Sequence, residues 1–279
     1  MAVDLHTHSS ISDGSDTPSE LIRRASVVGL DAIALTDHDT IDGLSAAGQA
    51  ADHHGIRLVP GLELSLAWDR GGMHMVVLFL DDQSGPLQDR LAWLQVARAG
   101  RNDRMIALLQ SLGYDITIDE VRAEAGAGVT GRPHIAAVLV RKGYVPDIPA
   151  AFDELLAAGR PAYVGRDRLE AVEAVTLARA SGGVPIIAHP HTLGLDTASE
   201  FGTLFEELAS AGLVGLECFY GDYPPDHQRD LVAMARKFGL VPSGGSDYHG
   251  TYKEGLELGS ARGDLLVANE VLDELEAAR

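Results

Sequence analysis

Short apolar runs that end in His, Asp or Glu recur along this 279-residue chain, and they constrain its fold more than any other feature. His6 and His8 follow the first run, and side chains two residues apart on a β-strand point to the same face. Two adjacent imidazoles can chelate a divalent cation. The pattern returns at Leu35-Thr36-Asp37-His38-Asp39, Gly61-Leu62-Glu63, Ile187-Ala188-His189-Pro190 and Gly245-Ser246-Asp247-Tyr248-His249. Five independent coincidences would be needed to produce these five polar strand ends by chance, so we interpret their His, Asp and Glu residues as parts of one polar site.

Strands and helices are predicted to alternate in the two outer parts of the chain. The seven predicted strands cover residues 3–5, 31–36, 56–62, 73–80, 184–188, 214–217 and 240–243. Helices are predicted at about 17–28, 44–53, 169–180, 201–211, 226–238 and 264–278, the first opened by the capping-box sequence Thr17-Pro18-Ser19-Glu20. This rhythm predicts an α/β fold in which parallel strands close into a barrel. Barrel enzymes of this kind build their sites at the carboxyl ends of the strands, where the polar residues fall.

The central part of the chain breaks this rhythm. From about Pro86 to Gly159 the apolar residues follow helical spacing, and no convincing strand is found. Helices are predicted at 87–112, after Thr117, from Gly131 and at 147–157. We therefore predict a barrel formed by residues 1–82 and 161–279, with residues 83–160 as an inserted helical subdomain that caps the substrate.

Charge and cysteine content exclude several classes of function. The chain has 22 Lys and Arg against 41 Asp and Glu, a net charge of −19, which disfavours extended binding of nucleic acid but permits a small phosphorylated ligand at a local cationic site. Cys218 is the single cysteine, so neither a disulfide framework nor a thiolate cage is expected, and Cys218 is interpreted as a core residue. The chain opens without a basic segment before a long apolar stretch, which favours a cytoplasmic location with no membrane association.

Nine side chains at or near the predicted strand ends are candidate metal ligands. Taken singly, Asp13 would be read as a turn former and His74 as a core histidine. Six imidazoles and three carboxylates are too many for one ion, and mixed nitrogen and oxygen ligands suit Mn²⁺, Fe²⁺ or Zn²⁺. If three divalent ions bind, their six positive charges are reduced to three by the three carboxylates. A phosphate dianion and a hydroxide would balance the remaining three charges, so a phosphoester substrate is favoured over an amide. The nine candidates are His6, His8, Asp13, His38, Glu63, His74, His189, Asp247 and His249.

Four of these segments together resemble the motifs of the PHP (polymerase and histidinol phosphatase) family. They are Asp4-Leu5-His6-Thr7-His8-Ser9, Thr36-Asp37-His38-Asp39, Ala188-His189-Pro190 and Ser246-Asp247-Tyr248-His249. The resemblance implies a distorted seven-stranded (β/α) barrel with two or three divalent ions, manganese first and iron or zinc as alternatives. It assigns three ligand sets, the first formed by His6, His8, Glu63 and Asp247, the second by Glu63 as a bridge with His74 and His189, and the third by Asp13, His38 and His249.

Within that family, the Asp13-Gly14 loop and the central insertion are most similar to 3′,5′-nucleotide bisphosphate phosphatases and to 5′-to-3′ exoribonucleases that act on short oligonucleotides. The resemblance implies phosphate contacts from Arg132, His134 and Arg160, the last standing where a Lys is common. Arg132 also lies beside a predicted helix N-terminus, which favours anions. The implied reaction is hydrolysis by a metal-activated water, with His134, Asp37 and His191 as candidate acids for the leaving group.

Three alternatives stay open beside this hypothesis. A histidinol-phosphate phosphatase would use the same metal site, although the insertion and the Asp13 loop argue against it. A C–N-bond hydrolase often needs a lysine on a strand, whereas Lys142, Lys237 and Lys253 fall in predicted helices or a late loop. A non-catalytic PHP module would be expected to lose ligands, and all nine positions are filled.

Overall fold

A computed structural model of the chain describes residues 2–80, 85–126, 130–165, 167–253, 255–262 and 265–279, without the side chains of residues 98 and 99. The chain divides into two compact units. The first consists of Met1–Leu91 with Arg168–Arg279, and the second is Ala92–Asp167. The predicted boundary between residues 82 and 83 lies outside the described residues. Among the described residues, no helix is both long enough and apolar enough to cross a membrane.

The first unit is built on one eight-stranded sheet in the order β7-β6-β5-β4-β3-β2-β1-β8. All seven predicted strands are present, and most differ from prediction by only a few residues at their ends. The strands are β1 (Ala2–Asp4), β2 (Ala32–Leu35), β3 (Arg57–Ser65), β4 (His74–Leu78), β5 (Val184–Ile187), β6 (Gly215–Tyr220), β7 (Val241–Gly245) and β8 (Val267–Ala268).

The prediction of uniformly parallel strands is wrong at β4. This strand runs antiparallel to both β3 and β5, while β1–β2, β2–β3, β5–β6 and β6–β7 are parallel pairs. Residues 66–73 between β3 and β4 are too few for a crossover, which usually needs a dozen or more residues, so the two strands form a hairpin. The first residue of β4 consequently lies at the edge where the parallel strands end.

The barrel closes between the segments that follow β1 and β7. Thr7 and Tyr248 form a parallel bridge, the His8 amide donates to the Tyr248 carbonyl at 2.9 Å, and the Asp247 amide donates to the His6 carbonyl at 2.9 Å. These hydrogen bonds join the first and last predicted motifs. They bring residues that are 240 positions apart in sequence into one strand pair.

Helices cover the barrel because each presents an apolar face to it. On β2, Ala32 and Ala34 join one core cluster, whereas Ile33 and Leu35 on the opposite face pack with Leu21 of the first helix. The helices of this unit are α1 (Pro18–Val28), α2 (Leu44–His54), the start of α3 (Pro86–Ser111), α7 (Ala171–Ala180), α8 (Ala198–Ala211), α9 (Pro225–Lys237) and α10 (Asn269–Ala277).

Two predictions for this unit need correction. Thr17 accepts the Glu20 amide as an N-cap, but the Glu20 side chain pairs with Arg23 at 2.7 and 2.9 Å, so only half of the predicted capping box forms. The last helix begins at Asn269, because the apolar residues just before it form β8, antiparallel to β1. A short apolar run does not distinguish a strand from a helix by periodicity. The predicted start at Asp264 lies outside the described residues.

The second unit is helical around its own core, as predicted for the insertion. It holds the rest of α3, α4 (Ile118–Ala125) behind a complete Thr117–Glu120 capping box, α5 (Arg132–Arg141) and α6 (Ile148–Ala151). The predicted helix at 147–157 is a four-residue α-helix that continues as a π-helical turn over Phe152–Leu156. Met105, Leu109, Val121, Ile135 and Leu139 are among the residues of its buried core.

Candidate metal centre

Eight of the nine candidate ligands lie on or next to a strand at one edge of the barrel, and Asp13 lies in the loop beyond β1. His6 and His8 follow β1, and His38 follows β2. Glu63 lies within β3, and His74 opens β4, whose reversed direction places its first residue at this edge. The last three are His189 after β5 and Asp247 and His249 after β7. The structure therefore brings all nine predicted ligands together.

The first ligand set meets as the resemblance implied. The Nε2 atoms of His6 and His8 each lie 3.2 Å from Glu63 Oε2, and they lie 3.7 and 3.4 Å from Asp247 Oδ1. All four side chains are nearly inaccessible to solvent.

The second set uses the other oxygen of the same glutamate. His74 Nδ1 and His189 Nε2 lie 3.0 and 2.9 Å from Glu63 Oε1. The two oxygens of Glu63 thus face different groups of imidazoles, an arrangement that would let this carboxylate belong to two ligand sets. His38 Nδ1 also lies 3.2 Å from Glu63 Oε2, a contact that the sequence interpretation did not anticipate.

The third set gathers around Asp13. Its Oδ1 lies 3.3 Å from His249 Nε2 and 3.5 Å from His8 Nδ1, and its Oδ2 lies 3.6 Å from His38 Nε2. The Asp13 side chain is 53% exposed, whereas Glu63 and Asp247 are 1% and 5% exposed. This set is therefore the one that opens most directly to solvent.

The donor set fits divalent cations. Four ring nitrogens, His6 Nε2, His8 Nδ1, His8 Nε2 and His38 Nδ1, are buried and have no hydrogen-bond partner within the described part of the chain. Two ligands that are each about 2.0–2.2 Å from one ion would lie roughly 3.0–3.5 Å apart, close to the separations seen here. Buried nitrogens without a hydrogen bond are costly, and a cation would satisfy them. The assignment of individual ligands to ions stays a prediction.

Glu217 on β6 is a carboxylate in contact with the candidate ligands that the sequence interpretation missed. The carboxylate is buried, lies 2.9 Å from His6 Nδ1 and accepts the His189 amide at 2.5 Å. When Glu217 accepts a hydrogen bond from His6 Nδ1–H, the Nε2 lone pair is left directed at Glu63 and Asp247, which is how an outer carboxylate prepares an imidazole for a metal. The available signal was an acidic residue inside the apolar run Val214-Gly215-Leu216-Glu217.

Two other histidines are oriented in the same manner. His249 Nδ1 donates to the carbonyl of Asp247 at 2.8 Å, so its Nε2 is left as an acceptor facing Asp13. His189 Nδ1 lies 3.2 Å from the hydroxyl of Thr192, which itself donates to the carbonyl of Gly72 at 2.8 Å. With Thr192 accepting from Nδ1, His189 Nε2 is free to act as a ligand.

The carboxylates determine the protonation of the buried imidazoles. Burial alone would lower the pKa of His6 and His8, but nearby carboxylates outweigh it. Glu217, Glu63 and Asp247 hold the pKa of His6 well above its usual range, and Asp247 and Glu63 raise the pKa of His8 to about 9. Burial lowers the pKa of His38 to about 3. Conversely, the imidazoles overcome the effect of burial on Glu63 and hold its pKa well below the ordinary value. Divalent ions would have to displace protons from this cluster.

Asp37 lies outside the four groups of metal-ligating side chains found among the described residues. Its carboxylate accepts the Ser9 amide at 2.8 Å, the Ser9 hydroxyl at 2.6 Å and the Ser12 hydroxyl at 2.7 Å. A carboxylate with these three donors holds the loop that carries Asp13. These hydrogen bonds fit a positioning role for Asp37, and the acid role considered from the sequence stays a prediction.

The other residues considered from the sequence lie as follows. Arg132 opens α5, with its guanidinium 5.5 Å from the Phe152 ring and 5.7 Å from the Tyr163 ring. His134 Nδ1 accepts the Gly131 amide at 3.1 Å, so the neutral ring carries its proton on Nε2. Arg160 is exposed. These three belong to the helical unit, and their contact with substrate stays a prediction.

His191 and the lysines complete the sequence candidates. His191 Nδ1 lies 2.7 Å from the Tyr223 hydroxyl in the barrel unit. Lys142 follows α5, Lys237 ends α9, and Lys253 lies beyond the 3₁₀ turn Gly250–Tyr252. Since none of the three lysines is on a strand, the structure gives no support to the C–N-bond hydrolase that needs a strand-borne lysine.

Comparison with known proteins agrees with this geometry. The PHP domain family is matched over residues 4–144. A 3′,5′-nucleoside bisphosphate phosphatase of Chromobacterium violaceum is 33% identical over 280 residues, which cover 99% of this chain and 96% of the relative. A 5′-3′ exoribonuclease of Haemophilus influenzae is 35% identical, with 88% and 89% covered. A solved structure from Bifidobacterium adolescentis, provisionally assigned as a metal-dependent phosphoesterase, superposes with a TM-score of 0.81 at 29% identity, covering 99% of this chain and 96% of that one.

The barrel and its cluster of imidazoles and carboxylates, together with these relatives, define a metal-dependent phosphoesterase, which is a hydrolase. The chain belongs to the PHP domain family.

Proposed function

We propose that this enzyme removes the 3′-phosphate of nucleoside 3′,5′-bisphosphates and also acts on the 5′ ends of short oligonucleotides. The observation that carries the proposal is the similarity, over 99% of the chain, to a phosphatase of that substrate class, in a chain that retains all nine predicted metal ligands. The 5′-3′ exoribonuclease relative supports the second activity, because both substrates place a phosphate ester beside a ribose.

We propose two or three divalent ions as cofactors, with Mn²⁺ first and Fe²⁺ or Zn²⁺ as alternatives. His6, His8, Glu63 and Asp247 would hold one ion, Glu63, His74 and His189 the second, and Asp13, His38 and His249 the third. Bound there, the ions would supply an acidified water and neutralise charge on the phosphate.

The protein's own groups would orient the substrate. Arg132 offers a planar guanidinium whose direction is restricted by the Phe152 and Tyr163 rings, and it stands at a helix N-terminus, which favours anions. His134 would donate from Nε2, and Arg160 would add a second guanidinium. We propose that these three residues bind substrate phosphate, with His134 as the first candidate for the leaving-group acid.

Phosphate release from a substrate panel tests the proposal. Purified protein loaded in turn with Mn²⁺, Fe²⁺, Zn²⁺ or Mg²⁺ would receive adenosine 3′,5′-bisphosphate, 5′-phosphorylated short RNA, histidinol phosphate or an aryl phosphate. We expect selective release of the 3′-phosphate, lost in Asp247→Ala. A preference for histidinol phosphate would overturn the substrate class, and no release from any substrate by metal-loaded protein would overturn the proposed reaction.

A matched pair of arginine variants tests the helical unit. Arg132→Lys keeps the charge but loses the planar donor pair, while Arg141→Lys changes an arginine in the last turn of the same helix. We expect a raised KM for the bisphosphate in the first variant and wild-type values in the second. Equal kinetics in the two variants would remove Arg132 from substrate binding.

A further inference from the structure

The two oxygens of Asp247 are held from different sides. Oδ1 faces imidazoles, at 3.4 Å from His8 Nε2 and 3.4 Å from His249 Nδ1. Oδ2 accepts a hydrogen bond from the Tyr220 hydroxyl at 3.0 Å and contacts the ammonium of Lys253. The oxygen that faces the ligand cluster is therefore distinct from the oxygen that faces Tyr220 and Lys253.

The two donors to Oδ2 differ in how firmly they are held. Tyr220 ends β6 and is only 7% exposed, so its hydroxyl is fixed by the barrel. The Lys253 side chain is 37% exposed and comes from the loop after the 3₁₀ turn Gly250–Tyr252. That turn is itself anchored, since the Thr251 amide donates to the Ser15 hydroxyl at 2.9 Å. Of the two donors, Lys253 is therefore the one carried by a partly exposed and flexible side chain, which suits contact with a bound ligand.

The positive charge and the hydrogen-bonding capacity of Lys253 favour an anion as the ligand that it contacts. An ammonium has three donor hydrogens, and within the described residues Asp247 Oδ2 is the one acceptor that Lys253 contacts, which leaves donors for phosphate oxygens. Once the carboxylates of this cluster are neutralised by divalent ions, a cation beside them is unfavourable unless an anion lies near it. A lysine on a flexible stem is a common point-charge partner of phosphate and tolerates several orientations of the ester.

We propose that Lys253 binds the phosphate of the substrate, and the orthophosphate product, while Tyr220 keeps Asp247 in position. The inference rests on the proposed phosphoesterase function and adds a substrate-binding residue from the barrel unit. It predicts that loss of the Lys253 ammonium weakens phosphate binding, whereas loss of the Tyr220 hydroxyl weakens metal binding, although both groups contact the same oxygen of Asp247.

Binding of inorganic phosphate to the Mn²⁺-loaded protein, measured by calorimetry alongside metal content by mass spectrometry, tests the proposal. In Lys253→Met we expect the phosphate Kd to rise by about 10- to 100-fold, as for the loss of one charge-assisted hydrogen bond, with metal content unchanged. Lys253→Arg should restore part of the affinity because the charge is kept. Lys237→Met, on α9 beside Phe238, is the matched control and should behave as wild type.

Tyr220→Phe separates phosphate binding from positioning. This variant should weaken metal binding, and phosphate binding should weaken only as metal is lost. Metal loss in Lys253→Met would show that Lys253 only positions Asp247. Tighter metal binding in that variant would show that Lys253 competes with the ion. Either result overturns the proposal, and so does an unchanged phosphate Kd. The binding experiment uses inorganic phosphate and no ester, so it is independent of hydrolysis. A wild-type enzyme that is inactive on the whole substrate panel would refute the proposed function but would not decide whether Lys253 binds phosphate.

Discussion

Glu217 shows how one buried carboxylate can serve two ligand positions. It accepts from the ring of His6 on one side and from the backbone amide of His189 on the other. His189 has a φ of 25°, a value that non-glycine residues rarely adopt and that costs about 1–3 kcal/mol. The hydrogen bond to Glu217 holds this strained residue with its imidazole toward Glu63.

Glu217→Gln is expected to weaken metal binding by about 10- to 100-fold while the protein still folds. An amide oxygen can replace only one of the two acceptors, so either His6 or the His189 amide would face an NH₂ group. Chelator competition measures the affinity, and Glu207→Gln on the exposed face of α8 is the matched control. Equal affinities in the two variants would contradict the positioning role.

Cys218 neighbours Glu217 but points into the core. Its side chain is fully buried, and burial together with the charge of Glu217 raises the pKa of the thiol. We expect no reaction with a disulfide reagent in the native protein and one reactive thiol in denaturant. Rapid labelling of the native protein would show that this part of β6 opens.

At the scale of elements, the loops after β1 and β7 act as one structure. The Ser15 amide donates to the His249 carbonyl at 3.1 Å, and the Tyr248 hydroxyl donates to Asp16 Oδ2 at 2.9 Å. Asp13 lies on the first loop and His249 on the second, so this pairing places two of the three members of the third ligand set opposite each other.

Gly250→Ala is expected to remove the metal ion of the third set while the other ions stay bound. Gly250 has a φ of 66°, and an added Cβ would lie 1.9 Å from Ser15 Oγ, so the Asp13 loop would have to move. Metal equivalents per chain measure the effect. Gly239→Ala is the control, since its φ is 69° but its Cβ would meet no described atom within 4 Å. Equal metal content in both variants would argue against the pairing.

At the scale of the whole molecule, the metal cluster links strands from both ends of the chain. The candidate ligands come from residues 6–74 and from residues 189–249, which precede and follow the helical unit in sequence. Ions bound to the folded state alone would therefore stabilise the closure of the barrel.

Metal removal is expected to lower Tm by about 5–10 °C, because saturation at 100 times Kd contributes about 2.7 kcal/mol and a chain of this size shifts by a few degrees per kcal/mol. Thermal denaturation with and without a chelator measures this. Asp247→Ala should show a much smaller shift, and an equal shift in that variant would place the stabilising ion elsewhere.

The metal-dependent increase in Tm should also grow with pH. The pKa of His8 is raised from 6.5 to about 9 in the metal-free protein, so its contribution to stability is complete below pH 6.5 and is lost as pH rises through about 9. Metals need the neutral imidazole, so their binding competes with protons over that window. A metal-induced shift in Tm that stays constant from pH 6.5 to 9 would contradict this coupling.

The sequence by itself determined the nine candidate ligands, the seven barrel strands and the helical character of the central unit. These follow from local features: apolar runs that end in His, Asp or Glu, helix periodicity, and capping residues such as Thr117. Patterns of this kind survive folding because each strand forms locally and most of the polar residues directly follow their own strand, while Glu63 lies within β3 and His74 opens β4.

Only the tertiary structure decided the reversal of β4, the pairing of β8 with β1, and the hydrogen-bond partners of Glu217 and Asp37. Each of these depends on a partner distant in sequence: Glu217 contacts His6 across 211 positions, and Asp37 binds Ser9 across 28. A carboxylate or an ammonium looks the same in a sequence whether it ligates a metal, orients a ligand or holds a loop. Which donors surround it is settled only when the barrel closes and brings the strand ends together.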